Sequence, residues 1–140
     1  MSIKPVNKLS AAVYLKRHKA YFEGMQWLAQ EPVTYGDAVA LLAVHSVISL
    51  ADAILAAYKG HRSISQDHGE SFKLLQELCH EKQITGDGLA RYRRLIARKT
   101  NISYGERRLN ENSDIRWAQV EAERFTDWAL SSFKEVRQCQ

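Results

Sequence analysis

One run constrains this chain more than any other feature. Ala38 to Tyr58, AVALLAVHSVISLADAILAAY, contains no proline or glycine and one formally charged residue, Asp52. A stretch of that length and character either crosses a membrane or forms the centre of a helical core. His45, Ser46, Ser49 and Asp52 stand near its middle, and a carboxylate at the centre of a bilayer costs about 2.5–3.5 kcal/mol on insertion scales. The run is therefore read as a buried central helix. Thr34 with Asp37 supplies a capping pair at its start, and Gly60 is a natural stop. Those bounds predict about 25 residues, or about 37 Å of helix.

The rest of the chain has to cover that helix. In 140 residues there are seven Gly and two Pro (Pro5 and Pro32), too few turn residues for a β-sandwich or barrel of this length. Hydrophobic residues make up 45% and charged residues 26%, which is enough to build one core and excludes global disorder. The spacing of Ala12, Leu15, Phe22, Gln26 and Ala29 predicts a first helix from Val6 or Ser10 to Gln30, with Lys16 to Lys19 as its wet face. Asp67 to Glu70 has capping-box spacing before Phe72, Leu74, Leu75 and Leu78. After the break at Thr85 to Gly88, Leu89, Tyr92, Leu95 and Ile96 mark a fourth helix. A fifth runs from about Asp114 to Val136, with Trp117, Val120, Ala122 (or Glu121), Phe125, Trp128 and Ala129 facing inward. His61 to Gln66 reads as a loop, and no alternating strand pattern is present. The expected fold is an all-α, up-and-down antiparallel bundle of about five helices, a single domain over residues 1–140. Two cysteines, Cys79 and Cys139, form neither a disulfide framework nor a zinc motif. With no apolar leader in MSIKPVNKLS, the expected location is the cytoplasm.

The most informative chemistry lies on the central helix. His45, Ser49 and Asp52 stand at i, i+4 and i+7, one helical face. Two readings fit: a hydrogen-bond network that fixes packing, or a cleft lined by this helix. The following segment adds His61, Arg62 and His68, the last in the first turn of the third helix. A metal site from His45, His61 and His68 lacks any HxxxH or HExxH pair. Cys79 sits beside an apolar stripe and reads as packing, and glycine-rich phosphate loops are absent from the sequence.

Net charge is +4, but it is concentrated. Arg91, Arg93, Arg94, Arg98, Lys99, Arg107 and Arg108 stand against Glu106 alone between positions 91 and 108. Such a patch is either a solvated helix face or a polyanion surface. With Tyr92 and Tyr104 interleaved, it suits single-stranded RNA or a nucleotide better than duplex DNA. Arginines of the fourth helix found facing separate acids would remove the main support for that binding.

Taken together, the long helix Ala38 to Tyr58, the glycine turn after it, His68 opening the next helix, Arg98 followed by Tyr104, and the closing Ala122, Phe125 and Trp128 resemble the HEPN domain family over roughly Val33 to Val136. The resemblance implies a four- or five-helix bundle, usually a homodimer with a polar cleft at its interface, associated with nucleotides or RNA. Many members of the family are metal-independent ribonucleases, often toxins, with an Arg followed a few residues later by His near the last helix. Here that place runs from Arg98 to Gly105 without a His, so the proton-transfer group is missing. Arg62 to His68 fits the spacing but falls between the second and third helices.

Three functions follow as expectations. The first is a non-catalytic or weakly catalytic nucleotide- or RNA-binding module, with no cofactor, in which Arg94 and Arg98 hold phosphate, Tyr104 stacks, and His45, Asp52, Arg62 and His68 line the adjoining cleft. The second is a ribonuclease using His68 and Arg98. The third is a dimeric scaffold for a nucleotidyltransferase-type protein partner. None of the three involves a membrane.

Overall fold

A computed structural model describes residues 3–63, 68–99 and 114–139. The chain is an all-α, up-and-down antiparallel bundle with one small sheet. Its axis is α2, Pro32–Lys59, which packs against each of the five other α-helices among the described residues. From Val39 to Ala57 nearly every α2 side chain is buried. Among the described residues it is the one helix long and apolar enough to cross a membrane, and here its apolar surface lies inside the protein.

The boundaries of α2 differ from the sequence expectation at its start. Pro32 occupies the first helical turn, where its missing N–H is no loss. Thr34 therefore lies inside the helix and caps nothing. Tyr35 departs from helical geometry (φ −113°, ψ 15°), and beside it Gly36 leaves room for the Ile115 side chain, which a methyl group would strike. The other end is as expected: Gly60 takes the left-handed conformation (φ 68°), and its N–H bonds the Ala56 carbonyl at 3.1 Å.

Helix α1, Ala11–Leu28, follows a short 3₁₀ turn at Lys8–Ser10 and lies antiparallel along α2. Here the expectation of a wet Lys16–Lys19 face needs correction, because His18 is buried. Its Nδ1–H donates to the Ser46 carbonyl at 2.8 Å, and since that carbonyl can only accept, the bond assigns the tautomer.

The predicted loop after Gly60 is a second correction. His61–Ser63 forms strand β2, paired antiparallel with β1, Ile3–Pro5, in the register Ile3↔Ser63, Lys4↔Arg62 and Pro5↔His61. A three-residue strand is too short to show alternation, so periodicity could not reveal it.

Helix α3 spans Gly69–Lys82 and α4 spans Gly88–Ala97. The expected capping role of Asp67 lies outside the described residues, and His68 itself occupies the N-cap position. Helix α5, Arg116–Ser132, breaks at Phe133 before the short α6, Lys134–Arg137. Its buried side is Ala118, Glu121, Ala122, Phe125, Thr126 and Ala129, while Trp117, Val120 and Trp128 are half-buried. The stripe is thus turned towards Glu121 because two arginines of α4 meet that carboxylate.

Candidate functional site

The polar face of α2 runs alongside a second polar row on α1. Antiparallel packing sets Tyr21 beside His45, with ring centroids 5.8 Å apart, and Tyr14 beside the Asp52 end. Tyr14, Arg17 and Tyr21 stand at i, i+3 and i+7, so they share one side of α1. Strand β2 then brings Arg62 across the end of α2, 3.5 Å from Asp52 (Nη1 to Oδ2). The guanidinium of Arg62 lies 5.4 Å from the centroid of the Tyr14 ring, and that of Arg17 lies 5.8 Å from the same ring. Nothing in the local sequence around Arg17 marked it for this place, because its neighbours are defined only by helix packing.

Electrostatics single out Asp52. Burial pushes its carboxyl up to about 6, even though the positive charges of Arg62 and Arg17 pull the other way. Taking the carboxylate out of water thus outweighs both cations. Arg62 retains some solvent access, yet its Nε is buried and has no hydrogen-bond partner among the described residues. His45 is held below the ordinary imidazole range, first by partial burial and then by the charge of Lys99. It is neutral at pH 7 and able both to donate and to accept. His18 is likewise depressed by burial, with its bond to Ser46 opposing.

The alternatives for the α2 stripe therefore divide along the helix. Ser46 and His18 belong to a closed packing network, in which the Ser46 hydroxyl donates to the Ala43 carbonyl at 2.8 Å. Asp52 and His45 instead face charged and aromatic groups contributed by other elements.

His68 is placed by an unusual backbone. It is a non-glycine residue in the left-handed region (φ 57°), a conformation that persists where surrounding structure enforces it. The Ser71 hydroxyl donates to the His68 carbonyl at 2.8 Å, and the Phe72 N–H adds a second bond at 3.1 Å. With the single Ser71 proton committed there, the buried Tyr92 hydroxyl donates to Ser71 Oγ at 2.6 Å. Burial raises the Tyr92 phenol well above its usual range, and the charge of Asp52 adds to the rise. A relay rooted in α4 thus fixes the start of α3 near the Asp52 end of the bundle. Ser71 escaped the sequence reading of the site because it looks like an ordinary core position, whereas Tyr92, expected beside the arginines as a stacking aromatic, is fully buried and has no face open to a base.

The basic stretch behaves differently from the expected polyanion surface. Arg91 donates to Glu121 at 2.7 Å and to Asp87 at 2.7 Å. Arg94 donates to the other Glu121 oxygen at 3.1 Å. Arg93 stacks over Phe72 at 5.4 Å. Arg98 lies 4.4 Å from the centroid of Trp117 and 3.7 Å from Asp114. Arg91 and Arg94 thus share Glu121 instead of facing separate acids, and Arg93, Arg94 and Arg98 remain exposed, so the internal contacts weaken the expected binding patch only in part. Tyr104, Arg107 and Arg108 lie outside the described residues.

Among the described residues, no three His, Cys, Asp or Glu side chains converge as a metal site would require. Cys79 is buried, and its thiol is pushed up to about 11 by burial, which suits packing rather than nucleophilic chemistry. Compared with known proteins, the chain matches no family model and no curated sequence.

Proposed function

We propose that this chain is a HEPN-like helical module that binds a nucleotide or single-stranded RNA over the polar face of α2, without catalysis or with weak catalysis. One observation carries the reading: Asp52 is kept buried and raised to about 6 beside Arg62, whose Nε has no partner among the described residues. A chain selected only for stability would place an apolar residue there, because an incompletely paired buried charge costs free energy. In this reading Arg62 and Asp52 orient the ligand, neutral His45 and His68 add hydrogen bonds, and Arg98 and Tyr104 contribute from the neighbouring segment. The bonds of Arg94 to Glu121 leave it a lesser part.

The deciding experiment is a gel assay with labelled single-stranded RNA and EDTA, using wild type, Arg62→Ala and Arg98→Ala. A shifted, intact band that fades with salt and is lost in Arg62→Ala supports the module. Cleavage abolished in Arg98→Ala makes the chain a metal-independent ribonuclease instead. Neither shift nor cleavage leaves a scaffold. A specific observation favours that second reading: Leu9 and Trp27, at opposite ends of the first helical segment, are 81% and 73% exposed. With Val13, also exposed, they give the first helical segment apolar side chains that a second copy or a nucleotidyltransferase-type partner could cover.

A further inference from the structure

Two guanidinium groups from different elements each lie within about 6 Å of the centroid of one aromatic ring. Arg17 of α1 and Arg62 of β2 both lie within cation–π distance of Tyr14. Around them the described structure supplies one carboxylate, Asp52, which pairs with Arg62. No acid among the described residues pairs with Arg17; its described contacts are the Tyr14 ring and the field of Asp52. The cluster therefore carries one positive charge in excess, held by the exposed Arg17 beside a buried carboxylate.

From this arrangement we infer that Arg17 and Arg62, braced on Tyr14, form a receptor for a phosphate monoester, the terminal phosphate of a nucleotide or of an RNA end. The inference rests on the nucleotide-binding reading above and specifies which ligand group this corner takes. A monoester carries about −1.5 to −2 charge at pH 7 and three acceptor oxygens, enough to engage two guanidiniums together. A carboxylate, with one charge and two oxygens, matches a single guanidinium fork, and Asp52 already engages Arg62 through one oxygen at 3.5 Å. An internal phosphodiester has one charge and two free oxygens, so chain ends are preferred over chain interiors. Tyr14 limits the rotamers of both arginines, which lowers the entropy lost when the ligand is engaged. The Arg62 side chain is 29% exposed while its Nε is buried, so its terminal nitrogens are the donors a ligand can reach.

The test follows arginine Nε–H resonances of the full chain by NMR during titration with adenosine 5′-monophosphate and, separately, adenosine. Arg17→Lys and Arg62→Lys assign the two signals. A parallel binding measurement compares 5′-phosphorylated with 5′-hydroxyl single-stranded RNA of one sequence. The expected result is movement of both signals with the monophosphate and of neither with adenosine. Phosphorylated RNA should bind at least tenfold tighter than its hydroxyl counterpart, and either lysine variant should remove most of that preference. Arg17→Ala provides a check independent of the sheet, since Arg17 is exposed on α1 and its loss should leave the fold intact.

Equal binding of the two RNAs to wild type would overturn the monoester receptor while leaving the nucleotide-binding reading standing. So would a phosphate preference that survives both lysine variants. If neither RNA binds and the monophosphate moves neither signal, both the receptor and the nucleotide reading fall.

Discussion

Asp52 shows how one residue can act against the stability of the fold that holds it. Its carboxyl sits near 6 in the folded chain against an ordinary 3.8. The folded state therefore keeps a proton that the unfolded state releases between those values. Stability contributed by this group falls as pH rises from about 4 to 6, and above that window the full penalty of about 2–3 kcal/mol applies. The charges acting on it are those of Arg62 from β2 and Arg17 from α1. Replacing Asp52 with Asn removes the ionisation, while Arg62 keeps enough solvent contact to stay hydrated. Thermal melts should show a midpoint several degrees higher for Asp52→Asn at pH 7.5, and a flatter response between pH 4 and 6. A lowered midpoint at pH 7.5 would instead make Asp52 part of a stabilising network. Glu121 is the useful contrast, because it is buried but met by both Arg91 and Arg94. Of these two buried acids, Glu121 serves α4–α5 packing and Asp52 faces the candidate site.

At the scale of elements, the bundle depends on close approach where the sequence offers glycine. Gly88 opens α4 directly under Trp128, and a Cβ there would meet the indole ring. The same indole N–H donates to the Thr85 carbonyl at 2.8 Å, tying the α3–α4 connection to α5. Gly88→Ala should therefore cost about 1–3 kcal/mol by overpacking, read as a lower urea midpoint with altered tryptophan emission. Gly24 is different: a Cβ there would lie 3.5 Å from Leu42 Cδ1, an ordinary contact. In that helix interior, Gly24→Ala should stabilise by about 0.5–1 kcal/mol. Opposite signs for two Gly→Ala changes would separate steric need from helix propensity. The sheet matters in another way, since β1 holds β2 in register and so sets Arg62 beside Asp52.

For the whole molecule, net charge of +4 is a poor guide to where anions bind. The described arginines of the basic stretch contact Glu121, Asp87, Asp114, Phe72 and Trp117 of the same chain, although Arg93, Arg94 and Arg98 stay exposed. Three of the six large apolar side chains exposed among the described residues bear on the dimeric scaffold proposed above. Leu9, Val13 and Trp27 all belong to the first helical segment, which packs mainly on α2. If that segment joins two copies, sedimentation should give a dimer for wild type and a monomer for Trp27→Asp, with an unchanged helical spectrum. A monomeric wild type at micromolar concentration would count against the dimeric scaffold.

What the sequence determines by itself here is local. The apolar run around Leu50 and Ile54, the stop at Gly60, the break near Gly86 and the common face of His45, Ser49 and Asp52 are all legible because periodicity and backbone preference act within a few residues. The all-α bundle follows from these alone. Tertiary structure decides which faces meet. It buries His18 out of a charged run, turns α5 towards Glu121, pairs the chain's start with His61–Ser63, and draws Tyr14 and Arg17 to Asp52. Each of these contacts joins residues far apart in the chain. Charge and polarity give a side chain the capacity to pair, but only the packing of helices supplies the partner and sets the cost of leaving water.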